Sequence, residues 1–371
     1  MSDNNNPQSA PAAVTVVTVV RNAKDDLRRT VKSVIRQTYS PIEYIIIDGG
    51  STDGTLDIIR QFEEHIAYWS SGNDSGVYDG MNKAIERASG EWIIFMNAGD
   101  WFCDADVIRR VFSNYPRDTD FIYGDYIFVF PNWQLKAIKA QPINSLWRKM
   151  PFSHQALFTR TEVMKKHKFD QHYKIAADYN FIFRAYSDAR TFFHTDNYVC
   201  VYSDNGLSVK RKFRSMLERW QIARKYAGKN KFKVDKYHMR MLLNNIFKKR
   251  NRIGNKYIWE GWYGIERYNS GWLRWTKKSG TILVPVKHDT LCHLHMELNS
   301  YPKGNVVEIR LNGKLAAAVK VDWVKFKAIP PVPLQLNEGT NRLEFFSKKE
   351  PRTPPGQKRA LAIAAKNLII K

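Results

Sequence analysis

No stretch of this sequence stays apolar for the roughly 18 to 20 residues that a membrane-spanning helix needs, so no helical span is expected. Residues 1–13 carry neither the basic start nor the apolar core of a signal peptide. They are polar and rich in Asn, Pro and Ala, and are expected to be a disordered tail on a cytosolic chain. Cysteine is scarce: Cys103, Cys200 and Cys292 lie far apart and match no metal-ligand or disulfide spacing, which points to reduced thiols with structural roles. Neither G-x-G-x-x-G nor G-x-x-x-x-G-K-S/T occurs, so neither a Rossmann dinucleotide site nor a P-loop is supported.

Acids are the other shortage, with 36 Asp and Glu against 59 Lys and Arg in 371 residues, a formal charge of +23. The excess is concentrated. Residues 210–256 hold seventeen Lys or Arg and only two acids, Glu218 and Asp235. Such a segment suits phosphate, whether on nucleic acid, anionic lipid or a diphosphate-bearing substrate. Residues 211–226 and 237–248 have the spacing of basic amphipathic helices, and the charge excess favours an anionic membrane surface over mere solvation. Nucleic acid is not the expected partner, because no nucleic-acid fold and no aromatic-basic interleaving accompany the charge.

What is present is organised around residues 14–102. Three short apolar runs, 14–20 (VTVVTVV), 44–47 (YIII) and 92–96 (WIIFM), alternate with segments of helical spacing. That order predicts parallel strands covered on both faces, an α/β unit with right-handed connections. Ligands of such sheets bind beyond the carboxyl ends of the strands. Here those ends carry Arg21, Asp48, Asp53, Asn97 and Asp100. Asp25 or Asp26 is expected to cap the first helix, and Asp53 reads as a helix cap rather than a catalyst. Further strands are expected at 65–71, at 120–130 and 133–139 as a hairpin turning at Pro131-Asn132, and at 191–202. Helices are expected to follow Gly72-Asn73-Asp74 and to open at 174–181. Asp178, at that second opening, reads from the residues alone as either a cap or a functional carboxylate.

The composition changes after about Tyr257. Trp259, Trp262, Trp272 and Trp275 precede short strands at 281–286, 291–298, 306–311, 316–321, 334–336, 342–346 and 360–370, with Asn312-Gly313 as a strong hairpin turn. These predict a separate all-β sandwich. His293 and His295 alternate onto one strand face but lack a third ligand, so no metal is expected there.

The strand-end acids suit a nucleotide. One carboxylate can accept from a base N–H, another can hold a divalent cation through oxygen, and a third can deprotonate an incoming hydroxyl. Asp48, Asp100 and Asp178 are candidates for those roles in chain order.

The motifs YIIIDGGSTDGT, NDSGVYDGMNKAIERASGEW, IIFMNAGDWF, SHQALF, KIAADYNFIFR and YSDNGLS, in that order over residues 14–210, resemble family 2 glycosyltransferases of the GT-A fold. The resemblance implies an inverting enzyme that moves a single sugar from a nucleotide-sugar, usually a UDP-sugar, to a glycan hydroxyl. It assigns Asp48 to the nucleobase, with Val20 and Arg21 lining the base pocket. Asp74, Tyr78, Asp79 and Lys83 would lie near donor ribose, phosphates or sugar. Asn97 and Asp100 occupy the place of the family's DXD motif, with Asp100 as metal ligand. Asp178 matches the catalytic base, and His154 and Gln155 should flank the acceptor. Mn²⁺ or Mg²⁺ is the implied cofactor, bound more weakly than with two carboxylates because Asn97 and Gly99 stand where many relatives have acids. The QxxRW motif of processive synthases is missing.

The β-rich end is similar to jelly-roll modules fused to bacterial cell-surface polysaccharide enzymes. The expected organisation is a tail (1–13), a GT-A (Rossmann-like) nucleotide-sugar domain (14–209), a basic helical connector (210–256) and a jelly-roll-like sandwich (257–371). The expected acceptor is a lipid-diphosphate-linked glycan of O-antigen, capsule or exopolysaccharide synthesis. The enzyme would sit at the inner face of the membrane through residues 210–256, with an oligomer left open. The competing reading is a non-catalytic nucleotide- or glycan-binding protein with a degenerate GT-A domain.

Overall fold

The computed structural model of the chain describes residues 13–130, 135–203, 211–247, 258–262, 266–268, 271–301, 304–321, 326–351 and 363–370. The residues expected as the tail up to 12, the Pro131-Asn132 turn, Trp133, Asp204 to Ser208 of YSDNGLS, and 248–256 lie outside them, as do the side chains of Trp259, Trp272 and Trp275. Two compact units result: residues 1–131 with 137–253, and 132–136 with 254–371. Among the described residues no helix is long and apolar enough to cross a membrane.

In the first unit, β1 (Val14–Val20) is buried at every position. It pairs in parallel with β2 (Ile42–Asp48) on one side and β4 (Trp92–Phe95) on the other, and β3 (Tyr68–Ser71) extends β2. Continuous β-branched runs form such strands because both faces are covered. The register Val20↔Asp48 sets the ends of β1 and β2 side by side. Between the strands run α1 (Lys24–Ile35), α2 (Thr55–Gln61) and α3 (Val77–Arg87). The sheet then turns mixed, in the order β3-β2-β1-β4-β8-β6-β9-β5, with β5 at Trp101–Phe102, β6 at Phe121–Val129, β8 at Leu157–Arg160 and β9 at Phe192–Ser203. β6 also pairs with β7 (Leu135–Ile138), its expected hairpin partner. The remaining helices are α4 (Val107–Phe112), α5 (Thr161–His167), α6 (Ala177–Ser187), α7 (Lys212–Lys225) and α8 (Lys231–Phe247).

Some local expectations shift. α1 starts at Lys24 after Ala23, with no side-chain cap; Asp25 and Asp26 lie in its first turn, where the helix dipole favours acids. Asp53 precedes the formal cap, Gly54, and accepts from the Thr55 amide (3.0 Å) and the Lys24 amide (3.2 Å), so it ties two helix starts together. α8 begins six residues ahead of Tyr237, with Val234 buried in the added turn. Residues 211–247, expected as part of a connector, belong to the first unit.

The second unit is antiparallel. Beside the short β10 (Ile258–Trp262), β11 (Glu266–Tyr268), β16 (Lys327–Ala328) and β17 (Val332–Leu336), its long strands β12 (Gly271–Val286), β13 (Thr290–Ser300), β14 (Asn305–Leu311), β15 (Lys314–Val321), β18 (Gly339–Ser347) and β19 (Ile363–Ile370) run in the order β15-β14-β18-β12-β19-β13. Ile282, Leu294, Leu298, Ile309, Leu343 and Phe345 meet in one core. β12 starts ten residues ahead of its expected beginning, taking in the Trp-rich segment. Asn312 (φ 49°) and Gly313 (φ 81°) join β14 to β15 with both residues left-handed, as a type I′ turn requires.

A Cβ at Gly313 would meet nothing within 4 Å, so its substitution isolates the backbone cost. Gly313→Ala is expected to destabilise the second unit by about 1–2 kcal/mol in a denaturant melt. An unchanged midpoint would show that the turn is not held left-handed.

Candidate active site

The carboxyl ends of β1, β2 and β4 converge as the strand order requires. The Gly49 amide donates to Val20 O (2.9 Å), and the Met96 and Ala98 amides donate to Val17 O and Val19 O. Thr30 on α1 clamps the loop of residues 97–100: its hydroxyl donates to Asp100 O (2.7 Å) and accepts from the Gly99 amide (3.1 Å). Gly99 has φ 98°, which a side chain would strain.

Asp48 is buried and heavily bonded. Its Oδ2 accepts from the Gly50 and Ser51 amides (3.1 and 3.0 Å) and the Ser71 hydroxyl (2.6 Å); its Oδ1 accepts from the Ser51 hydroxyl. It therefore builds the loop it stands on, and acceptor capacity is left mainly at Oδ1. Val20 is buried beside it, and Arg21 is exposed with no polar partner. Asp74 leans on Gly49, where a Cβ would lie 2.5 Å from its Oδ2. Asp79 and Lys83 pair with each other along α3 at 3.0 Å, and that pairing holds the Asp79 carboxyl below its ordinary range.

Asp178 does not cap α6. It faces inward with 13% side-chain exposure, its Oδ2 lying 3.2 Å from His154 Nδ1 and its Oδ1 accepting from the Tyr78 hydroxyl at 3.1 Å. Tyr78 thus contacts Asp178, its single hydroxyl proton shared between that carboxylate and the Ile175 carbonyl at 2.8 Å. Burial opposes the charge of Asp178. The His154 hydrogen bond and charge, the Arg219 charge and the Tyr179 backbone outweigh it, holding the carboxyl below its ordinary value. Burial likewise opposes the charge of His154, but Asp178 and, more distantly, Asp100 hold its pKa above the ordinary value. The pair's contribution to stability is lost as pH falls through the lowered Asp178 value. It is lost again as pH rises through the raised His154 value.

His154 and Gln155 share one 3-10 turn (His154–Ala156) ahead of β8. While His154 holds Asp178, Gln155 Nε2 donates to Asp100 Oδ2 at 2.9 Å. Two consecutive side chains therefore link the two carboxylates whose roles differ. Glu218, which sequence reasoning passed over, fixes the helix that bears Asp178 from behind. It accepts from the amides of Lys174 (3.2 Å), Ile175 (2.9 Å) and Ala176 (3.0 Å), the donors at the opening of α6. Its signal was available, as one of two acids in a run of seventeen cations.

Among the described residues no cluster of three His, Cys, Asp or Glu could hold a metal alone. The site still suits a hard cation. Asn97 Oδ1 is buried without a hydrogen-bond partner, three residues from the Asp100 carboxylate. Oxygen donors of this kind suit Mn²⁺ or Mg²⁺ completed by substrate oxygens and water.

Comparison with known proteins agrees in part of the chain. The family model described as Glycosyl transferase family 2 matches residues 15–192. A PGL/p-HBAD biosynthesis glycosyltransferase of Mycobacterium tuberculosis is 33% identical over 162 residues, covering 42% of this chain and 62% of that protein. The chain thus spans less than two thirds of that relative's length. A second glycosyltransferase of M. tuberculosis, itself uncharacterized, is 35% identical over 191 residues, covering 48% of this chain and 70% of the relative. Among solved structures, S. aureus TarS in complex with UDP aligns at 16% identity with a TM-score of 0.48, over 63% of this chain and 72% of that one.

His154→Asn removes the charged partner of a buried carboxylate and is expected to raise the Asp178 pKa. The acid limb of the kcat/KM profile for sugar transfer should move to higher pH accordingly. An unmoved limb would separate Asp178 from the rate.

Proposed function

The chain belongs to glycosyltransferase family 2, and on that membership and the site geometry we propose that it is an inverting transferase moving one sugar from a UDP-sugar to a glycan hydroxyl. The observation that carries the proposal is Asp178: a buried carboxylate kept ionised by His154 and tied through Gln155 to Asp100. In the transfer, the acceptor oxygen attacks the anomeric carbon and its proton passes to Asp178. The bond from that carbon to the diphosphate oxygen breaks, and the nucleoside diphosphate leaves with the electron pair. Tyr78 and His154 hold the base in position, and Glu218 holds the helix that bears it. The nucleobase would lie by Asp48, Val20 and Arg21, with Asp74, Asp79 and Lys83 towards the donor's ribose, phosphates or sugar. Asn97 and Asp100 would hold Mn²⁺ or Mg²⁺. Such a cation, when bound, neutralises charge developing on the leaving diphosphate.

We further propose a lipid-diphosphate-linked acceptor in bacterial surface polysaccharide synthesis, reached at the cytoplasmic face of the membrane. The exposed side of α7 and α8 supports this. Phe213, Phe232, Met239 and Leu243 are exposed there among lysines and arginines. The segment's two acids are used elsewhere: Glu218 at the start of α6, and Asp235 with the Trp220 indole (2.7 Å) and Arg224 (3.2 Å). What remains is a basic, partly apolar surface. The non-catalytic reading rests on Asn97 replacing an acid, and the measurements below separate the two.

UDP with Mn²⁺ is expected to raise the melting temperature, and Asp100→Asn to remove the metal's share; saturation to about a hundred times Kd corresponds to about 2.7 kcal/mol. Asp178→Asn should keep UDP binding while transfer falls about 10²–10⁴-fold. Binding without any transfer across a panel of sugar donors and glycan acceptors would favour the non-catalytic reading. Vesicles with anionic phospholipid should retain the protein, and Phe232→Ser should weaken that retention severalfold. Equal retention on neutral vesicles would count against the electrostatic part.

A further inference from the structure

One cation of the first unit, Arg219, has no hydrogen-bond or ion-pair partner among the described residues. Arg219 stands on α7 between Glu218, bonded to the amides that open α6, and Trp220, bonded to Asp235. Its neighbours on both sides therefore fix the helix, and Arg219 is not needed to do so. Its Nε is buried without a hydrogen-bond partner, and among the described residues no carboxylate pairs with its guanidinium. The nearby acids are already engaged, Asp178 by His154 and Tyr78, Glu218 by three amides and Arg214.

The arginine's place follows from its neighbour: Glu218 accepts from the Ile175 and Ala176 amides, three and two residues before Asp178. The charge of Arg219 accordingly helps keep Asp178 ionised and opposes the charging of His154. It also acts on Tyr202, where Asp100 acts as well. Arg219 thus shares a neighbourhood with both the base and the metal-side carboxylate. His154 Nε2 is a second buried nitrogen there without a partner. A buried N–H with no acceptor is costly, and the planar guanidinium fork matches phosphate oxygens.

We propose that Arg219 binds a phosphate group of a diphosphate substrate in the site between Asp100 and Asp178. The inference rests on the transferase reading and deepens it; residue 219 lies beyond the 15–192 matched by the family model, which assigns it nothing. The phosphate belongs either to the nucleotide-sugar donor or to a lipid-diphosphate acceptor, and the chemistry recognised is the same.

The test uses the full chain with Arg219→Gln and Arg219→Lys, titrated calorimetrically with UDP, uridine and inorganic diphosphate. Arg219→Gln is expected to weaken UDP and inorganic diphosphate by about tenfold, some 1.4 kcal/mol, with uridine unchanged and Arg219→Lys in between. Unchanged UDP with a tenfold higher KM for a diphosphate-bearing acceptor, but not for a phosphate-free glycan, would also support phosphate binding and assign it to the acceptor. Unchanged values throughout would overturn it, as would a lower ligand-free melting temperature with all affinities intact. Should the glutamine variant not fold, UDP or inorganic diphosphate should protect Arg219 of the wild type from phenylglyoxal; absence of protection would overturn the assignment. If the wild type binds neither UDP nor inorganic diphosphate, the transferase reading fails too. If it binds both and the variants match it in every measurement, only Arg219 is misassigned.

Discussion

An ionised carboxylate can be kept away from water only if its surroundings replace the solvation it gives up, a cost of several kcal/mol per charge. Asp178 imposes that constraint, and much of the first unit is arranged to meet it. Tyr78 comes from α3, His154 from the turn before β8, and the charge of Arg219 from α7. α6, which carries Asp178, is seated by Glu218 from α7. Four segments distant in sequence therefore have to be in place before Asp178 has its partners. The pairing with His154 also extends to Asp100 through Gln155, so both carboxylates are held by one short turn.

Much of the framework was legible because it obeys local rules. The buried runs at 14–20, 42–48 and 92–95 are short, β-branched and continuous, and they became adjacent parallel strands. Asn312-Gly313 declared its turn through the two residues that tolerate a left-handed backbone. What local pattern could not reveal was the partner of each polar side chain. Asp178 stands in the first turn of its helix, where an acid stabilises the dipole anyway, so position alone could not separate a cap from a base. Tyr78 sits in a motif near donor-contacting positions, yet its hydroxyl reaches across a hundred residues to Asp178. The basic run at 210–256 was read as one surface. Its two acids are the residues that show otherwise, since Glu218 and Asp235 anchor the helices and leave the cations to divide between inside and outside.

That division bears on the metal question. Asp100 and Asp178 face each other's charge across one turn, and protonated His154 and Arg219 offset part of it. On the proposed reading a nucleoside diphosphate would add negative charge beside Asp100, and Coulomb repulsion in a poorly solvated pocket is strong. A second acid at position 97 would worsen that repulsion whenever no cation was bound. Asn97 supplies an oxygen without the charge, and its Oδ1 is left unpartnered. The arrangement suits a cation that arrives with the donor's diphosphate rather than one held permanently by the protein. With Arg219 available to share the phosphate charge, the dependence on metal becomes a matter of degree, set by how the leaving group is divided between guanidinium and cation.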